Sequence, residues 1–154
     1  MVVDLLQKAG LRVSLEVSLP SSEDRPADIF IPQGWGNRPT ALDISVVHPL
    51  SSSHAHGLCS AGAAAENRAA AKMSHYEQAC TSAGWDFIPL VVETTGAWGL
   101  QAQKFLSALI RKLARSSGLP VAEVSGPTWG GVEYGAGSLD GRYAHPGLLF
   151  RLTA

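Results

Sequence analysis

Apolar residues recur along this chain with two periods, and the switches between them divide it into segments. Val2, Val3, Leu5, Leu6 and Ala9 make one helical stripe over residues 2–9, and Gly10 is a plausible stop. Over residues 11–19 the period becomes two. Val13, Leu15, Val17 and Leu19 alternate with Arg12, Ser14, Glu16 and Ser18, which predicts a half-buried strand. A polar turn over 20–26 leads to a second strand at 27–31 and, beyond Gln33-Gly34-Trp35-Gly36-Asn37-Arg38-Pro39, to a third at 40–47. So tight a connection predicts that these two strands pair as an antiparallel hairpin. After a Ser- and His-rich loop, residues 60–83 are Ala-rich and free of Pro, a helix with Gly84 as its C-terminal stop. Residues 85–93 are almost continuously apolar, as in a strand buried on both faces. A helix between the third and fourth strands predicts a parallel crossover. A second long helix follows at 100–116, with Phe105, Leu106, Leu109, Ile110 and Leu113 as its core stripe.

The expected architecture is therefore α/β, in the order α-β-β-β-α-β with a closing helix. Its four-stranded mixed sheet is flanked by helices. Residues 1–117 make one domain, and the Gly/Pro-rich residues 118–154 form an irregular tail, with a hint of order only at 143–152. At 154 residues the chain holds one domain with a real core. Its formal net charge of −1 gives no global basic signature for nucleic acid, although a local patch suffices to bind one. Two isolated cysteines suggest a reducing compartment. The start Met1-Val2-Val3-Asp4 lacks the basic stretch of a signal peptide, and no apolar run is long enough for a membrane span. An intracellular location is the expectation.

Two aspartates stand out because they interrupt apolar strands, where Asp is depleted and costly to bury. Asp28 lies in Arg25-Pro26-Ala27-Asp28-Ile29-Phe30-Ile31, and Asp43 in Ala41-Leu42-Asp43-Ile44-Ser45-Val46-Val47-His48-Pro49. Strand parity puts Asp43 on one face with Ala41, Ser45 and Val47, and Leu42, Ile44, Val46 and His48 on the other. If the hairpin sets Asp28 near Asp43, two carboxylates emerge together, and a divalent cation is their leading partner. The plainer reading pairs them with Arg12 or Arg25 as surface ion pairs. Lys72 falls mid-helix in Ala69-Ala70-Ala71-Lys72-Met73-Ser74-His75-Tyr76, with Tyr76 one turn later on the same face. Glu93 ends the fourth strand, placed to cap the next turn or to line a site. His54, His56 and Cys59 lack a second ligand pair at zinc spacing. Trp35 and Trp98, in Gly-flanked turns, fit loop anchors better than base-stacking platforms.

The layout resembles the PD-(D/E)XK nuclease superfamily. Pro26-Ala27-Asp28 looks like its PD element and Asp43-Ile44-Ser45 like its (D/E)XK element, with Ser45 in place of the lysine. In some members that lysine moves to the following helix, where this chain has Lys72. A closer likeness is to nuclease-like domains beside reverse transcriptases in mobile elements. They carry runs similar to Lys72-Met73-Ser74-His75-Tyr76 and to Gly84-Trp85-Asp86-Phe87-Ile88-Pro89-Leu90-Val91-Val92-Glu93-Thr94-Thr95-Gly96. The likeness spans residues 11–113. It implies a restriction-endonuclease-like core and Mg²⁺- or Mn²⁺-dependent hydrolysis of DNA, with a reverse transcriptase as partner or parent polypeptide. It also implies Asp28, Asp43 and Lys72 as the catalytic set, Glu16 as a further metal ligand, and Ser45, His48 and Tyr76 as substrate contacts. Ser45 in the lysine's place supports the alternative of an inactive nuclease-fold relic that serves as a binding module.

Overall fold

A computed structural model describes residues 2–20, 25–33, 35–50 and 60–124. The order is α1 (Val2–Lys8), β1 (Ser14–Val17), β2 (Ala27–Ile31), β3 (Thr40–Val47), α2 (Ala63–Ser82), β4 (Asp86–Glu93) and α3 (Leu100–Ser117). The strands form one sheet in the order β1-β2-β3-β4. β1, β2 and β3 pair antiparallel, while β3 and β4 run parallel, joined by α2. The chain is thus an α/β protein with a mixed four-stranded sheet flanked by helices.

Parity along the strands sorts side chains into two layers. One face presents Ile29, Ile31, Leu42 and Leu90 to Leu5 and Leu6 of α1 and to Phe105, Leu106, Leu109, Ile110 and Leu113 of α3. This is the main core. The other face presents Phe30, Ala41 and Phe87 to Met73, Tyr76 and Cys80 of α2, and Val91 to Ala65 and Ala69. Small residues along α2 suit it to lie close over the sheet. Ala64 and Ala65 are fully buried. β4 lies between the two helical layers, which explains its near-continuous apolar run.

Helix ends follow the stops in the chain. Gly84 takes φ 78°. Its amide donates to Thr81 O at 3.0 Å and that of Trp85 to Cys80 O at 2.9 Å, closing the two loops of a Schellman cap. Gly118 ends α3 in the left-handed region, with φ 69°.

Two expectations need correction. The alternating segment 11–19 yields a strand only over Ser14–Val17, and Leu15, expected inside, is 60% exposed. β1 is the sheet's edge, and its alternation is broken at Glu16, whose φ is 51°. The irregular tail begins with a turn of helix at 121–124, where Val124 packs against the main core. Residues 125–154, and with them the hint of order at 143–152, lie outside the described residues. Among the described residues no helix is long and apolar enough to cross a membrane.

Candidate functional site

The β2–β3 register pairs Ile29 with Leu42, so one further step sets Asp28 opposite Asp43 on the face covered by α2. The regular ladder stops short of this pair. Asp28 Oδ2 instead accepts the Ile44 amide at 2.6 Å, taking the place of a backbone acceptor. Asp28 is exposed, whereas Asp43 is only 8% exposed. From α2, Lys72 Nζ meets Asp43 Oδ2 as an ion pair. Both side chains of this pair are largely buried. Burial pushes the Asp43 carboxyl above its usual 3.8. The Lys72 contact and charge oppose that rise, the Asp28 charge adds to it, and the Arg68 charge opposes it. Three separate elements thus bring Asp28, Asp43 and Lys72 together.

The other sequence-derived candidates divide. Tyr76 is half-buried, with its ring 5.6 Å from Phe87 and 4.4 Å from His75, and it forms part of the wall beside Lys72. Ser45 lies on the Asp43 face of β3, half-buried and opposite Val91. His48 lies beyond the end of β3, where its Nδ1 accepts the Leu50 amide at 3.1 Å in a local turn. Glu16 falls opposite Asp28 in the β1–β2 register. Its carboxylate, however, is 79% exposed and faces Arg25 at 3.9 Å. Arg25 is therefore engaged with Glu16, while Asp43 has Lys72 as its ion-pair partner and Asp28 holds the Ile44 amide.

Glu93 is 3% exposed and commits both oxygens to structure. Oε1 accepts the Ala64 amide at 3.0 Å at the start of α2, and Oε2 accepts the Thr95 hydroxyl at 2.9 Å. Trp35 packs on Phe105 at 4.2 Å and Trp98 on the main core, so both act as loop anchors. His54, His56 and Cys59 lie outside the described residues.

One residue escaped sequence reasoning. Arg68, Ala71, Lys72, His75 and Tyr76 line a cleft of about 300 Å³ along α2, next to the lysine that pairs with Asp43. The signal was present in the i, i+4 spacing of Arg68 and Lys72. Its meaning depended on knowing which stripe of α2 borders the acids.

The donor set matches a hard divalent cation in number. Mg²⁺ takes one or two carboxylates and fills its shell with water and substrate phosphate. Asp28 and Asp43 supply two, each with one oxygen already engaged. Among the described residues no group of three His, Cys, Asp or Glu side chains is placed to hold a metal, so Glu16 does not complete the pair.

Compared with known proteins, the chain matches no family model, no curated protein and no solved structure.

Proposed function

We propose that this chain is a metal-dependent endonuclease-like domain with a restriction-endonuclease-like core, hydrolysing phosphodiester bonds in DNA. The observation that carries this reading is the convergence of Asp28, Asp43 and Lys72 on the α2 face of the sheet. The resemblance to the PD-(D/E)XK superfamily gives that convergence a chemistry. It also supports an origin in a mobile element and a working place inside the cell beside a reverse transcriptase.

Asp28 and Asp43 would hold Mg²⁺ or Mn²⁺. Such an ion, when bound, polarises a phosphodiester and lowers the pKa of an attacking water. Asp28 is oriented by the Ile44 amide, which fixes one carboxylate oxygen. Lys72 offsets the charge of the buried Asp43 and so favours the ionised carboxylate that a cation requires. It stands in this arrangement for the motif lysine that Ser45 replaces. Tyr76 keeps the Lys72 turn of α2 seated on Phe87.

A second reading has its own support. Lys72 is already paired with Asp43, and Ser45 supplies no cation, which suits a nuclease-fold relic that binds without cutting. A cleavage assay separates the two. Wild-type protein should nick supercoiled DNA with Mg²⁺ or Mn²⁺ and not with EDTA, and Asp43→Ala should abolish nicking. Equal nicking by both proteins would point to a contaminant and sink the enzymatic reading.

A further inference from the structure

We propose that Arg68 is a substrate-binding residue of this face, gripping a backbone phosphate of the nucleic-acid strand in the cleft along α2. The inference rests on the nucleic-acid reading above and assigns it a residue that the resemblance does not supply.

The argument begins with charge. Two cations border the cleft, Arg68 and Lys72. Lys72 is ion-paired with Asp43, so its charge is largely answered within the protein. Arg68 is exposed and forms no ion pair among the described residues. Its helical neighbours at i±3 and i±4 are Ala64, Ala65, Ala71 and Lys72, none of which can neutralise it. The small Ala71 side chain between the two cations leaves the floor of the cleft open.

Position comes next. Arg68 lies one helical turn before Lys72 on the same stripe, near enough to Asp43 for its charge to act on that carboxyl. A phosphate held there sits beside the aspartates. The guanidinium fork suits the task, because it can donate two parallel hydrogen bonds to phosphate oxygens. His75 and Tyr76 continue the lining past Lys72.

The test is fluorescence anisotropy with a labelled DNA oligonucleotide, single-stranded and duplex, with Ca²⁺ replacing Mg²⁺ to prevent cutting. Arg68→Ala should weaken binding about tenfold and lower the slope of log Kd against log salt by about one. Arg68→Lys should recover part of the loss. Arg111→Ala, on α3 across the sheet, should bind as wild type. Circular dichroism checks that each variant is folded. Wild-type binding in Arg68→Ala, an equal loss in Arg111→Ala, or no binding by the wild-type chain would each overturn the assignment. The cleavage assay keeps the two proposals apart. Arg68-dependent binding without cleavage removes the hydrolytic reading and leaves this one standing. Asp43-dependent cleavage with normal binding by Arg68→Ala removes this one alone.

Discussion

Lys72 reaches Asp43 from the middle of α2, and the two side chains are 12% and 11% exposed. At that depth each charge depends on the other, because an unanswered buried charge is far costlier than the pair. Lys72→Met should therefore destabilise the fold by about 3 kcal/mol at neutral pH, the low end for a broken buried pair. Adding Asp43→Asn should recover most of that loss, as read by urea unfolding. The pH dependence has a definite sign. Burial raises the folded Asp43 carboxyl above its usual 3.8. Between that value and the raised one, the folded state binds more protons than the unfolded state, so this group's contribution to stability falls as pH rises. Removing Lys72 lifts the folded carboxyl further, and the stability gap between wild type and Lys72→Met should widen with pH between the wild-type folded value and the higher value of the variant. A gap independent of pH would show that the two side chains are not coupled.

α2 carries this lysine, and charged side chains from outside the helix hold it at both ends. Glu93 accepts the Ala64 amide at its start, while Arg38 donates to the carbonyls of Thr81, Gly84 and Trp85 at its end, at 3.1–3.2 Å. Both signs suit the helix dipole. Glu66 of α2 in turn accepts the Leu100 amide at 2.8 Å and caps α3. Glu93→Ala should cost about 2 kcal/mol, the upper range for a cap, because its carboxylate is buried. Arg38→Ala should cost about 1 kcal/mol, since its charge is partly in water. Chemical denaturation of the two variants would rank them, and the reverse order would refute the burial argument. Glu93 was legible as a cap for the turn after β4, where it accepts the Thr95 hydroxyl, but neither its hold on α2 nor that of Arg38 was. Glu93 meets its partner across 29 residues and Arg38 across 43 to 47, and no local pattern encodes such distances.

The sheet distributes protection unevenly among its strands. β3 is hydrogen-bonded on both sides, to β2 and to β4. The outer side of β4 is partly closed by the chain returning through 97–99, where Glu93 N–H donates to Ala97 O and Gly99 N–H to Val91 O. β1 lies at the opposite edge, exposed along most of its length. Native-state hydrogen exchange should therefore rank the amides of β3 and β4 slowest and those of β1 fastest. The site lies towards the protected side of this gradient, with Asp43 on the most enclosed strand. Exchange in β1 as slow as in β3 would contradict the sheet order.

Local chemistry fixed the parts of this protein. Periods of two and 3.6, with glycines at the stops, marked β2 and β3 at their true bounds and α2, β4 and α3 to within a few residues, because dihedral preference and face burial act over neighbours. Parity grouped Asp43 with Ala41, Ser45 and Val47, while its meeting with Asp28 hung on the hairpin register, which the fold supplies. Packing set the rest. How far the helices cover the sheet left Leu15 in solvent, and the backbone at Glu16 turned its carboxylate towards Arg25. The seating of α2 chose Lys72 as the partner of Asp43 and set Arg68 in the lining of the cleft. Those outcomes depend on contacts between residues far apart in the chain, whose geometry exists only once the two layers have closed on the sheet.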